Sequence, residues 1–256
     1  MAAAPRRSAE HEGAPRSRIR RSEKVSESIA RDIVRSIVEQ DLAPGSVLPS
    51  EATMLEDYQV GRGSLREALR LLEVQGLIAI KPGPGGGPVV GLSDSGHFGR
   101  MATMYFQLSG ATFADLLEAR AALEPMMVRG ISEQQDPDAM AALQELYSEK
   151  VSFDNDADYA RVTAGFHHMI TSCSKNPVLN LLSSAIGRIY ADRIPGSTYP
   201  KDRRPGIIED HRRIMQAMIW NQPEQAEKLM RSHMVHMGED MRMRYPGLLE
   251  ERVSWY

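Results

Sequence analysis

The 256-residue chain has a single cysteine, Cys173. That excludes a disulfide framework and a thiolate zinc cluster, so stability has to come from packing and any metal has to use histidines and carboxylates. No stretch approaches the ~18 consecutive apolar residues of a membrane helix, and the arginine-rich start has no apolar run of the kind a secretory signal carries. The expectation is a cytoplasmic protein without a membrane partner. A large charge of one sign is missing too: 31 Lys and Arg against 34 Asp and Glu leave a net −3. This is far from a histone-like polycation, although a total hides local patches. Signatures of catalysis are equally scarce. No Glu is placed as in H-E-x-x-H, no glycine-rich phosphate loop follows a strand, and Ser172, Cys173 and the histidines form no recognisable set of nucleophile and base.

What the chain does have is length for two domains with cores of their own, at 42% hydrophobic and 25% charged residues. Residues 1–22 carry six arginines against Glu10 and Glu12, with no apolar periodicity, and read as a disordered basic arm. From Val25 to Val38 the apolar residues recur every three or four positions, one stripe of an amphipathic helix. Asp41 to Gly45 breaks it. Ser50 then caps a short helix opened by Glu51, with Met54, Leu55 and Tyr58 inward. Val60-Gly61 turns the chain into a third helix, about Arg62 to Val74, ended by Gly76. Leu77 to Lys81 and Val89-Val90 read as short strands around a glycine-rich tip. Three helices and a hairpin, over residues 23–90, make a winged helix-turn-helix.

Residues 91–112 read as a linker that packs in part. From Phe113 to Arg244 the pattern is helical, with boundaries at Asp136-Pro137, Asn176-Pro177, Pro195 to Pro205 and Asn221-Gln-Pro223. The fold class is therefore mainly α: the winged unit joined to an all-α bundle of six or so helices over 113–244, then a tail over 245–256. Thirteen of the 15 methionines lie between Met101 and Met243. Their thioethers serve equally as core filler or as the lining of an adaptable apolar cavity.

Two constellations carry chemistry. Arg62, Arg66 and Arg70 stand at i, i+4 and i+8 on the third helix, opposite Leu65, Leu69 and Leu72, so three guanidinium groups project from one face. Such a helix fits a major groove, where arginine bonds guanine edges or grips phosphate; Ser64 adds a hydroxyl near the helix start. Lys81 and the bare backbone around Gly83 suit a close approach to DNA. The same spacing also describes an ordinary solvated arginine face. In the second half, His167, His211 and His233 fall on three different helices with apolar companions at helical spacing. Brought together, three neutral imidazoles would bind Zn, Ni or Fe; taken singly, each reads as an ordinary half-buried histidine. Arg120 and Glu124, one turn apart, read as an intrahelical ion pair.

The first half resembles the GntR superfamily of bacterial transcription regulators. The residues are Pro44-Gly45, Leu48-Pro49-Ser50-Glu51, Val60-Gly61-Arg62-Gly63-Ser64-Leu65-Arg66-Glu67-Ala68-Leu69-Arg70, Leu72 and Gly76-Leu77. In its FadR branch the resemblance implies DNA contacts at Arg62, Ser64, Arg66 and Gly83. Ala52 and Gly63 depart from the family's usual arginine and polar residue. The second half resembles the FCD ligand-binding domain of that branch, through Glu118-Ala-Arg120-Ala-Ala-Leu123-Glu124-Pro125, Phe166-His167 to Asn176-Pro177, Asp210-His211-Arg212 and Ser232-His233. That resemblance implies a metal held by His167, His211 and His233 together with an aspartate whose position here is Thr163. It also implies that Arg120 faces the cavity and grips an effector carboxylate, which lysine could not do bidentately, so that Arg120 and Glu124 are the expected effector-binding residues.

The expected function is a ligand-responsive transcription regulator, a repressor released by a small carboxylate or acyl-type metabolite. One recognition helix reads few base pairs, so a homodimer on a nearly palindromic operator is expected. The competing class is a metal-dependent enzyme using the three-histidine pocket to activate water.

Overall fold

The computed structural model describes residues 17–83, 86–91, 95–194 and 199–254, which form two compact units, 1–93 and 94–256. Of the basic arm, residues 1–16 lie outside the described part. From Ser17 the backbone is already helical, as the start of α1 (Ser17–Glu39), where the sequence reading placed a disordered segment up to residue 22. No Gly or Pro interrupts the chain from Ser17 to Glu39. A helix nucleated by the Val25–Val38 stripe can therefore propagate back toward Pro15.

In the first unit α1 buries Ile29 and Ile33 against α3 (Arg62–Val74). Between them α2 (Glu51–Tyr58) is capped by Ser50, whose hydroxyl accepts the Thr53 amide at 3.2 Å. Leu65, Ala68, Leu69 and Leu72 of α3 are buried, which fixes the orientation of its polar face. The helix stops where Gly76 takes a positive φ of 74° and Leu77 N–H returns to the Leu72 carbonyl at 3.0 Å, an αL ending that glycine adopts without Cβ strain. Strands β1 (Ile78–Lys81) and β2 (Gly87–Val90) pair antiparallel, with Ile78 opposite Val90 and Lys81 opposite Gly87. An unforeseen addition is the segment 45–48, which runs beside β2 and donates Gly45 N–H to Val90 and Leu48 N–H to Pro88. It anchors the wing to the helical core through Leu48, Ile78 and Val90.

The second unit is all helical. Its first helix, α4 (Ser95–Ser109), occupies most of the segment read as linker and packs on α8. Helix α5 (Phe113–Gln134) is central, touching α7, α8, α9 and α10. It opens on a capping box in which Thr112 and Asp115 exchange bonds. There follow α6 (Pro137–Ser148), α7 (Asp156–Cys173), α8 (Pro177–Arg193), α9 (Arg204–Ile219) and α10 (Pro223–Arg244), and the short α11 (Pro246–Glu250) lies in the tail. Asp136, Asn155 and Asn176 cap α6, α7 and α8 through their side chains, and proline occupies the first turn of five of the described helices here, where its missing donor costs nothing. The tail is pinned down: Phe113 N–H donates to Glu251, Val253 N–H to Ala111, and Arg193 clamps the Glu251 carboxylate with two bonds. No described helix is long and apolar enough to cross a membrane.

Leu65 is wholly buried where α3 meets α1. Replacing it with Ala is expected to destabilise this unit by about 2–5 kcal/mol. Native-state hydrogen exchange at the α3 amides, which reads the first unit separately from the second, checks it.

Candidate functional site

Two sites emerge, one in each unit. On α3 the guanidinium groups of Arg62, Arg66 and Arg70 are all exposed, while Ser64 is half-buried at the first turn. Arg66 lies 3.4 Å from Glu51 and Arg70 3.6 Å from Glu73, exposed pairs of little worth that a phosphate can displace. Gly61 at the N-cap offers no side-chain bond, so the first amides of α3 stay open to an anion. Lys81 is exposed at the end of β1, and Gly83 has φ 98° with open space where a Cβ would be. Residues 84–85 of the wing tip lie outside the described part.

In the second unit a cavity of about 350 Å³ opens among the helices. The three histidines read from the sequence meet at its wall: ligand atoms of His167, His211 and His233 all lie within 4.8 Å of one another. They come from α7, α9 and α10, and each ring is held differently. His167 Nδ1 lies 2.6 Å from Glu124 Oε2 on α5. His211 stacks on Phe166, with ring centroids 3.9 Å apart and planes 16° from parallel. His233 Nδ1 is 3.7 Å from the half-exposed carboxylate of Asp210. His211 Nε2 and His233 Nε2 face each other at 3.2 Å, and the buried Nδ1 of His211 has no hydrogen-bond partner among the described residues.

Electrostatics favour neutral rings at His167 and His211. Burial pushes His167 down to about 4, opposed by the Glu124 carboxylate and assisted by Arg120. Burial, followed by the charges of His233 and His167, holds His211 well below the usual histidine value. Neutral imidazoles keep a lone pair each, so the donor set suits a borderline divalent ion. His167, His211 and His233 would hold such an ion, and it would supply a Lewis-acidic position for an anionic group in the cavity. Thr163 also lines the cavity, but its hydroxyl donates back to its own helix at Tyr159 O, 2.7 Å away. It brings no anion to the cluster.

Arg120 and Glu124 do form the expected i, i+4 pair, Nε to Oε1 at 2.6 Å, yet both are buried rather than on a solvated face. Burial alone would raise the Glu124 carboxyl; Arg120 and then His167 outweigh it and hold it at about 2. The Arg120 guanidinium also lies over the Tyr190 ring, 5.0 Å from its centroid. Among the described residues Arg120 bonds only through Nε, which leaves its Nη groups for a ligand in the cavity it lines.

Sequence reasoning missed the Glu124–His167 contact, which joins helices 43 residues apart, and the Tyr190 and Tyr199 walls. Residues 195–198, ahead of Tyr199, lie outside the described part. Tyr199 is held in place by Arg204, whose Nε donates to its carbonyl at 3.0 Å.

Known proteins place this arrangement. The HTH-type transcriptional repressor NanR of Escherichia coli (strain K12) is 26% identical over 226 residues, which are 86% of this chain and 85% of that one. The HTH-type transcriptional regulator Rv0494 of Mycobacterium tuberculosis (strain ATCC 25618 / H37Rv) is 28% identical over 208 residues, 80% and 84% of the two chains. The solved structure of Streptococcus agalactiae GntR, 22% identical, shares the fold with a TM-score of 0.63 over 84% of this chain and 99% of that one. An arginine-faced winged helix in one unit and a pocket among the helices of the other make the chain a ligand-responsive, DNA-binding transcription regulator; the enzyme alternative finds no support among these relatives. Residues 25–86 match the model for bacterial regulatory proteins of the gntR family, and residues 115–236 match the FCD domain. The chain belongs to the GntR family, with an FCD domain as its second unit.

Removing one partner of the Arg120–Glu124 pair leaves a buried charge uncompensated. Arg120→Met is expected to cost about 3–5 kcal/mol of stability, and Arg120→Met combined with Glu124→Gln much less. Denaturant unfolding of the four proteins in a double-mutant cycle measures the difference.

Proposed function

We propose that the protein is a transcription repressor, released from its operator when a small carboxylate enters the α5–α10 cavity. The observation that carries this is the buried Arg120 guanidinium with unspent donors lining a pocket, in a chain whose other unit exposes Arg62, Arg66 and Arg70. The Escherichia coli relative NanR is a transcriptional repressor, which supports repression rather than activation. A volume near the low end of the ~300–1,000 Å³ typical of ligand pockets favours a small acid over an acyl chain on a bulky carrier.

In this reading Arg66 and Arg62 meet base edges or phosphates, Ser64 and the open α3 amides take phosphate, and Arg70, Lys81 and Gly83 follow the backbone. The regulator acts in the cytoplasm as a homodimer on a nearly palindromic operator, since one helix reads too few base pairs. His167, His211 and His233 would hold a zinc, nickel or iron ion, which would supply Lewis-acidic chemistry for the effector carboxylate that Arg120 takes. Effector and DNA need a coupling of only about 1–3 kcal/mol, a 5- to 150-fold change in affinity.

Arg66→Ala is expected to cost about 1–3 kcal/mol in operator binding if it reads a base. A fluorescence anisotropy titration with the chain's own upstream region reports it, and an unchanged curve removes Arg66 from the interface. For the metal, elemental analysis of protein purified without chelator is expected to find about one ion per chain, lost in His211→Ala. Effector-driven release by a metal-free preparation would detach the ion from the mechanism.

A further inference from the structure

Neutral imidazole rings can each present the wrong nitrogen. A histidine at the end of a helix–helix contact has two tautomers, and only the one whose lone pair points into the cluster can bind a cation there. His167 is the least buried of the three rings, so packing constrains it least. What fixes it is the carboxylate of Glu124. Glu124 Oε1 receives Arg120 Nε, a group that can only donate, at 2.6 Å, while Oε2 stands 2.6 Å from His167 Nδ1. Glu124 is buried, rises from the middle of α5, and spends both oxygens in these two bonds. The other carboxylate near the cluster, Asp210, is half-exposed and at 3.7 Å from His233 Nδ1 is beyond hydrogen-bond reach. Thr163, on the same helix as His167, has turned its hydroxyl away.

We propose that Glu124 is a positioning residue for the three-histidine cluster rather than a group that touches the effector: it holds the proton of His167 on Nδ1 and so keeps the Nε2 lone pair free for a cation. The proposal rests on the metal reading above only for the identity of what the lone pair meets. Carboxylates that accept the outer N–H of a ligating histidine fix its tautomer and raise its basicity, and their loss typically weakens metal binding about 10- to 100-fold. Arg120 has a part in this. By occupying Oε1 it leaves Oε2 for the histidine, so the residue that greets the effector and the residue that greets the ion share one buried carboxylate.

The test has two readouts on the full-length protein. Nitrogen-15 NMR of the histidine rings in metal-free protein is expected to show His167 with Nδ1 protonated and Nε2 bare. In Glu124→Gln the ring is expected to become a mixture of tautomers. Zinc affinity, measured by competition with a chromophoric chelator, is expected to fall 10- to 100-fold in that variant. Because Glu124→Gln strands the Arg120 charge, the same measurements on Arg120→Met with Glu124→Gln guard against misfolding. A wild-type His167 protonated on Nε2, or a tautomer and zinc affinity unchanged in a folded variant, would overturn the assignment. A wild type without zinc affinity would instead remove the metal reading, and the tautomer comparison would still decide the role of Glu124.

Discussion

A charge taken out of water has to be met by another, and in the second unit that constraint organises everything around the pocket. Arg120 and Glu124 are both almost fully enclosed. Neither is tolerable alone at such burial, since the desolvation of a single ion costs several kcal/mol. Together they are affordable, and the arrangement leaves donors on one side and an acceptor on the other. The spare donors face the cavity; the acceptor faces His167. The pocket's chemistry, the orientation of one histidine and the position of α5 against α7 thus follow from a single salt bridge. It is weak evidence for stability and strong evidence for a site, because a well-packed apolar pair of the same volume would be at least as stable.

In the first unit the organising constraint is geometric. Helix α3 has to bury Leu65, Leu69 and Leu72 against α1 and α2, and its 3.6-residue period then leaves Arg62, Arg66 and Arg70 no place but the solvent side. The net charge of the chain is negative, so the cationic face on α3 arises because core packing sorts arginines from leucines along this helix.

Much of this was legible before any coordinates. The limits of α2, α3, α6, α8 and α10 follow from local punctuation, Ser50, Gly61, Gly76 and the Asp136-Pro137, Asn176-Pro177 and Gln222-Pro223 steps, because capping and proline geometry act within a few residues. Helix α4 was hidden by Gly96, Gly99 and scattered polar residues; it is helical because α8 gives it something to pack on, which no local pattern records. The backward extension of α1 carried no apolar stripe to announce it. For the site, spacing found the three histidines and the Arg120–Glu124 pair but not their meeting. The approach of Glu124 to His167 depends on the register of α5 against α7, a tertiary quantity absent from either helix alone.

The tail adds a mechanical point. Residues 251–253 lie beside Ala111 and Phe113, so this stretch of the polypeptide is stapled to the opening turn of the helix that, two turns later, carries Arg120. A truncation just past α11 would strip that turn of its backbone pairing and loosen the platform under the sensor. Chemistry performed on the far end of the molecule would then be felt inside the pocket without touching any of its walls.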